Sequence, residues 1–232
     1  AARENVLVLP RRYALPPLAL PGSRKYQVGG VSLASSVGDS EEFIGLRDYR
    51  PGDPLQRVHW KSYARIGRPV VREYQDEFFE RHALVLDTFG DERASAAFEE
   101  AVSVAASFAY TIDTLECLLD LLFVGDAPCA YTAGRGQLQS SALLEALAGA
   151  QLRPDGGFAS LREALMARRA TLTSSILVLI GWDERRRELV RELRVSGLPL
   201  LVMAVLNEPP LEAPEWLHVL VPGRIKQGLA RL

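Results

Sequence analysis

The chain has 232 residues, 48% of them hydrophobic, enough to bury roughly 70–75% of its unfolded surface and to fold on one sizeable core, with or without a smaller appended unit. Its 27 basic and 29 acidic side chains nearly cancel, which excludes a globally basic nucleic-acid or membrane-surface binder and leaves such a role to a local patch. Two cysteines, Cys117 and Cys129, are too few for a disulfide framework and lack the close pairing or histidine neighbours of a zinc site, so a reducing, cytoplasmic setting is expected.

The first 83 residues are rich in Pro, Gly and Ser up to about position 40 and show no repeated strand–helix alternation. Val6 to Leu9 reads as a strand and Ser23 to Ser40 as a loop. Asp53-Pro54 has the form of an N-cap followed by proline at the first helical position, and Gly67 stands where a glycine ends a helix, so the pattern predicts a helix from Pro54 to about Arg65. On it Arg57, Lys61 and Arg65 would share one face, with Leu55, Val58 and Ser62 on another. Between positions 47 and 72 stand seven basic residues (Arg47, Arg50, Arg57, Lys61, Arg65, Arg68, Arg72) against Asp48 and Asp53, the local patch that the overall charge conceals.

From Leu84 onward, apolar runs alternate with amphipathic segments, the pattern of strands feeding crossover helices in a parallel sheet. Ala83 to Leu86 is a strand ending at Asp87, and the Phe98, Val102, Ala105, Phe108, Ile112, Leu115 spacing predicts a long helix. Leu118 to Val124 and Pro128 to Thr132 read as strands. Ser140 or Ser141 is expected to cap a helix facing inward through Leu143, Leu144 and Leu147, and Ser160 a helix carrying Leu161, Ala164 and Leu165. Ile176 to Ile180 is a strand, Asp183 caps a helix over Glu184 to Val195, and Leu198 to Leu206 and Leu217 to Val221 complete the sheet. No apolar run reaches the roughly 18 residues of a membrane span, so a soluble piece is expected.

The ordered string Glu42-Phe43-Ile44-Gly45-Leu46-Arg47-Asp48-Tyr49-Arg50-Pro51-Gly52-Asp53-Pro54, continued by Arg57 to Arg65 and by Val70 to Tyr74, resembles the signature of domain-of-unknown-function family 58, a bacterial family. In that signature Asp48, Tyr49, Pro51, Gly52, Asp53 and Trp60 read as structural positions. The resemblance implies an arm over residues 1–83 with the signature at 43–80, followed at 84–232 by a von Willebrand A-like, Rossmann-like α/β domain with a mostly parallel sheet and helices on both faces. It further implies a setting near MoxR-type AAA ATPases and, in many relatives, upstream membrane segments. No enzymatic reaction follows from it.

A metal-ion-dependent adhesion site in such a domain takes oxygens from Asp-x-Ser-x-Ser after the first strand, a Thr in a Gly-rich loop and a later Asp, together suiting a magnesium ion. Here the first motif reads Asp87-Thr88-Phe89-Gly90-Asp91, Phe158 follows Gly156-Gly157, and Asp183 follows the later strand. Phenylalanine cannot ligate magnesium, so the site is expected to be degenerate, with no metal and no cofactor.

Arg47, Arg50, Arg57, Lys61, Tyr63, Arg65 and Arg68 are then the candidate partner-binding residues. Trp, Tyr and Arg are enriched in interfaces, although Trp60 is expected in the core. Pairing of these arginines with Glu73, Asp76, Glu77 and Glu80 weighs equally with docking. The function expected is a non-catalytic interaction or scaffold module whose protein partner is a MoxR-type AAA ATPase. Two other readings stay open: nucleic-acid binding through Arg57, Lys61, Arg65, Arg68 and Tyr63, and a hydrolase built on His59 and Asp53. Against the second, a six-residue separation sets Asp53 about 120° off the His59 face of a helix. His59, His82 and His218 also lie far apart without a nucleophile-elbow serine or cysteine.

Overall fold

A computed structural model of the chain describes residues 7–17, 42–75, 80–112, 117–134, 140–154, 157–210 and 212–232. They form two compact units, one of residues 42–75 and one of residues 7–17 with the described residues of 80–232. The segment expected as one arm over 1–83 is therefore shared between them. The loop over Ser23 to Ser40, the ion partners Asp76 and Glu77, and Leu115, Arg135, Gly136, Asp155 and Gly156 lie outside the described residues.

In the smaller unit, strand β1 (Glu42–Asp48) pairs antiparallel with β2 (Val70–Gln75), Arg47 opposite Val71. The helix expected over 54–65 is broken. A single 3-10 turn, Leu55–Arg57, is followed by extended backbone at Val58 (ψ 127°), and helix α1 runs only from Trp60 to Ile66. Val58 is buried with Val70 and Val71 and bridges to Val71, while the His59 amide donates to the Val70 carbonyl at 2.9 Å. A β-branched side chain with a buried site beside a strand gains more there than one further helical turn would give it. Gly67 ends α1 as expected, in the left-handed region at φ +72° that a Cβ disfavours, its amide donating to the Tyr63 carbonyl.

The larger unit contains β3 (Glu80–Leu86), α2 (Ser95–Thr111), β4 (Cys117–Val124), β5 (Pro128–Ala133), α3 (Ser140–Ala148), α4 (Phe158–Arg168), β6 (Ser174–Leu179), α5 (Glu184–Val195), β7 (Leu200–Val205), β8 (Leu217–Leu220) and α6 (Ile225–Leu229). Its six strands lie in the order β5-β4-β3-β6-β7-β8, all parallel except β5, which pairs antiparallel with β4. This is a Rossmann-like, doubly wound α/β arrangement. The strands read as continuous apolar runs because both faces are covered. Leu84, Leu86 and Ile176 pack with Phe98 and Phe108 of α2, Leu143 of α3 and Ile225 of α6 on one face. Val85, Leu122 and Leu177 pack with Leu161 and Leu165 of α4 and Leu189 and Leu193 of α5 on the other.

Three local expectations are corrected. Residues Leu7, Val8 and Leu9 are exposed and form no strand. Just beyond them Tyr13 anchors the segment to α2, its amide donating to Ser107 Oγ at 2.8 Å and its hydroxyl to Glu100 at 2.5 Å. Burial and the Glu100 carboxylate push that phenol up to about 12. Ser160 lies inside α4, whose N-cap is Gly157. The helix begins early because Phe158 is buried against Phe89, and Gly157 passes so close that a Cβ there would stand 2.6 Å from the Phe89 ring. Ser140 is the first residue of α3 and so does not flank it. No helix among the described residues is long and apolar enough to cross a membrane.

Candidate functional site

Strand order reverses between β3 and β6, and in open α/β sheets the crevice beyond the carboxyl ends of such strands is where ligands are held. Asp87 follows β3 there, wholly buried. Its Oδ1 accepts from the Phe89 amide at 3.0 Å, and its Oδ2 from the Ile180 amide at 3.1 Å and from Arg186 Nε at 2.6 Å. Arg186 stands in the first turn of α5. Its Nη1 donates to Asp183 Oδ2 at 2.6 Å and its Nη2 to the Phe89 carbonyl, and its guanidinium carbon lies 5.2 Å from the centre of the Phe158 ring. Phe89 and Phe158 meet edge to face at 6.1 Å, both buried. Gly181 leaves room for the guanidinium, since a Cβ there would stand 3.0 Å from its carbon.

Burial pushes the Asp87 carboxyl up, while the Arg186 guanidinium and the two amides pull it back toward the ionised form. The result is a fixed ion pair in which all of the Asp87 and Arg186 polar groups face protein. Asp183 has two tasks: Oδ1 caps α5 through the Arg186 amide at 3.0 Å, as the sequence predicts, and Oδ2 holds the Arg186 side chain. Thr88 Oγ1 donates to the Val124 carbonyl, and Asp91 is exposed and caps a short turn through the Arg93 amide. Of the positions Asp87, Phe89, Asp91, Phe158 and Asp183, all but Asp91 therefore converge.

Sequence reading passes over Arg186, the centre of this cluster. Arg185, Arg186 and Arg187 are consecutive, and nothing in the string tells which of them turns inward. The one available signal is an arginine three residues after an N-cap Asp, where the helix dipole disfavours a cation without a carboxylate beside it. A second buried pair is equally silent: Arg81 Nε and Nη2 donate to Asp120 at 2.8 and 3.1 Å, and Thr132 donates to the same carboxylate at 2.7 Å.

In the smaller unit the arginine-rich signature divides. Pro51 and Gly52 make a tight turn closed by the Asp53 amide on the Arg50 carbonyl, with Gly52 at φ +106°. Asp53 is not the helix cap expected of it. Its carboxylate accepts both Arg47 Nη groups, at 2.7 and 2.8 Å, and the Arg50 amide at 2.8 Å. Hydrogen bonds from Arg47 and from the Arg50 amide hold this carboxyl down at about 2. Arg47 also approaches Glu73 at 3.6 Å, Arg68 approaches Asp48 at 3.4 Å, and the Tyr49 amide donates to the Pro69 carbonyl. This half is an internal clasp. A His59–Asp53 couple is not formed, for His59 Nδ1 bonds Ser62 Oγ at 2.7 Å.

The other half lies at the surface. Arg57 belongs to the 3-10 turn, so only Lys61 and Arg65 share α1. Trp60, expected in the core, is 60% exposed, and Tyr63 is 42% exposed, their rings edge to face at 6.1 Å. Leu55 and Ile66 are exposed as well. The buried side chain of this stretch is Val58, not Trp60.

The larger unit is thus a doubly wound α/β domain whose topological switch point is filled by a buried Asp–Arg pair and two phenylalanines. The chain belongs to the family described as Protein of unknown function DUF58, whose model matches residues 45–214. It is similar to Uncharacterized protein YeaD of Bacillus subtilis (strain 168), 30% identical over 92 residues, which are 39% of this chain and 22% of that protein. The chain thus aligns with about a fifth of that relative's length.

Proposed function

We propose that the chain is a non-catalytic docking module of von Willebrand A-like type, in which Arg186 takes the place of the metal in a degenerate adhesion site and the exposed half of the arginine-rich signature binds a protein partner. The observation that carries the docking reading is the exposed Trp60–Tyr63 pair with Lys61 and Arg65 on the same short helix. Aromatic and arginine side chains of this kind anchor interfaces, and a solitary soluble domain gains nothing from leaving a tryptophan in water. The degenerate-site reading is supported by the donor set. A magnesium ion requires about six oxygens in near-octahedral order, whereas Asp87 and Asp183 both bind Arg186, and Phe89 and Phe158 bring rings. The residues present do not fit the ion.

An ATPase of the MoxR type is the partner to test. Co-purification of this chain with the MoxR-type ATPase of its host is expected to persist in the native sequence. Trp60→Ala with Tyr63→Ala should reduce it at least tenfold while the circular dichroism melt stays unchanged. Capture equal to that of the native chain would remove this face as the interface, and salt-sensitive binding of an oligonucleotide lost in the same variant would replace a protein partner with nucleic acid. In parallel, millimolar magnesium is expected to leave the melting temperature unchanged, since a bound ion would raise it by linkage.

A further inference from the structure

A different surface, in the larger unit and independent of the signature, carries a second binding assignment. Helix α5 turns Leu189, Val190 and Leu193 into the core, and along the exposed flank beside that stripe it sets Arg187, Arg191 and Arg194 in a row at spacings of four and three. That row lines a cleft of about 1030 Å³ together with Trp182 and Trp216, edge to face at 5.8 Å, and with Pro214. The volume is at the upper end of small-molecule clefts and suits an extended segment.

The electrostatics of the cleft are uneven. Arg194 lies over the Trp216 ring, its guanidinium carbon 4.3 Å from the centroid, so the cation is held by a π face. Among the described residues no carboxylate lies within ion-pair distance of Arg194. Among the described residues Arg191 and Arg187 pair with Glu184, at 3.3 and 3.9 Å, through side chains that are roughly half or more exposed. Such exposed pairs contribute little and give way readily to a better-placed acid. Val195, 84% exposed at the same end of α5, adds apolar surface to the lining.

We propose that this cleft binds an extended acidic peptide segment of a partner protein, carboxylates along Arg187, Arg191 and Arg194 and one apolar or proline side chain against the Trp182–Trp216 pair. Aromatic-lined grooves take proline-bearing extended chains, and guanidinium forks match carboxylates two bonds at a time. A polynucleotide suits the cleft less well. Its evenly spaced phosphates would have to pass Glu184 and the lining Glu212, whereas a peptide spaces its carboxylates to avoid them.

The test uses the full chain and a fluorescein-labelled peptide, Glu-Asp-Glu-Pro-Phe-Glu-Asp-Glu, read by anisotropy. Saturable binding is expected, weakening with added salt. Arg191→Glu with Arg194→Glu should weaken it at least tenfold and Trp216→Ala several-fold, and a peptide with Gln and Asn in place of Glu and Asp should not bind. Should the charge-reversed chain melt abnormally, Arg191→Gln with Arg194→Gln decides, with an expected loss of threefold or more. No saturation below about 1 mM, equal affinity in the arginine variants, or displacement of the peptide by a more tightly bound oligothymidylate would each overturn the assignment.

Discussion

Taking the Asp87 carboxylate out of water costs several kcal/mol, and near-complete burial of Arg186 costs a similar amount. Their contact at 2.6 Å, with amides from Phe89 and Ile180 and acceptors from Asp183 and the Phe89 carbonyl, offsets those costs only while every member stays. Replacing one partner strands the other. Arg186→Met is therefore expected to lower unfolding stability by about 3–5 kcal/mol, as measured by urea denaturation followed by circular dichroism. Adding Asp87→Asn to that variant should restore part of the loss, because a neutral amide is cheaper to leave buried than a carboxylate. A cost below about 1 kcal/mol would mean that water reaches the pair and that the site is open. The Asp53 clasp works by the same chemistry at the surface, with far less burial, so its contribution is to shape the Pro51-Gly52 turn.

Two neighbouring positions at the start of α4 separate local pattern from packing. Local pattern assigns the cap to Ser160, yet that residue is already inside the helix, while Gly157 is pressed against the Phe89 ring. Ser160→Ala should change stability by less than about 0.5 kcal/mol, as for substitutions away from specific interactions. Gly157→Ala should cost about 1–3 kcal/mol, because its methyl would overlap the ring inside a close-packed corner. Thermal melts of the two variants settle the order, and a larger loss at Ser160 would return the helix start to the place that pattern alone suggests. Element α1 teaches a related lesson. Asp53-Pro54 and Gly67 mark a helix correctly at its end but not at its beginning, since Val58 leaves the helical path to reach Val71.

At the scale of the whole fold, buried histidine is expected to make stability acid-sensitive. Burial holds the His82 imidazole neutral, its pKa below the usual value of about 6.5, with Glu80 at 3.5 Å opposing the shift. His218 is shifted the same way by burial. Below about pH 6.5 the unfolded chain takes up protons that the native chain refuses, so stability present above that value is lost as pH falls through the lowered native pKa. The urea midpoint should fall between pH 7.5 and pH 5.5, and less steeply for His82→Gln, which keeps a polar group near Ser174 Oγ. An equal slope in native chain and variant would assign the acid loss to other groups.

Much of this molecule is legible in the string of residues. Leu118 to Val124, Ile176 to Ile180 and Leu198 to Leu206 announce a buried parallel sheet because strands covered on both faces must be apolar throughout. Asp183 announces α5 because an N-cap is satisfied by atoms within three residues of it. The five positions 87, 89, 91, 158 and 183 were legible as a group, but the side chain that joins four of them was not. Arg186 lies 99 residues from Asp87, and its choice over Arg185 and Arg187 depends on the orientation of α5 against β6. Periodicity and capping are short-range, so from Ala83 to Leu220 the amino-acid sequence settles the element types and their alternation. Which polar side chain is buried, which tryptophan is left in water, and which arginines pair internally depend on desolvation and distance between segments remote in the chain, and those were decided only when the tertiary structure brought them together.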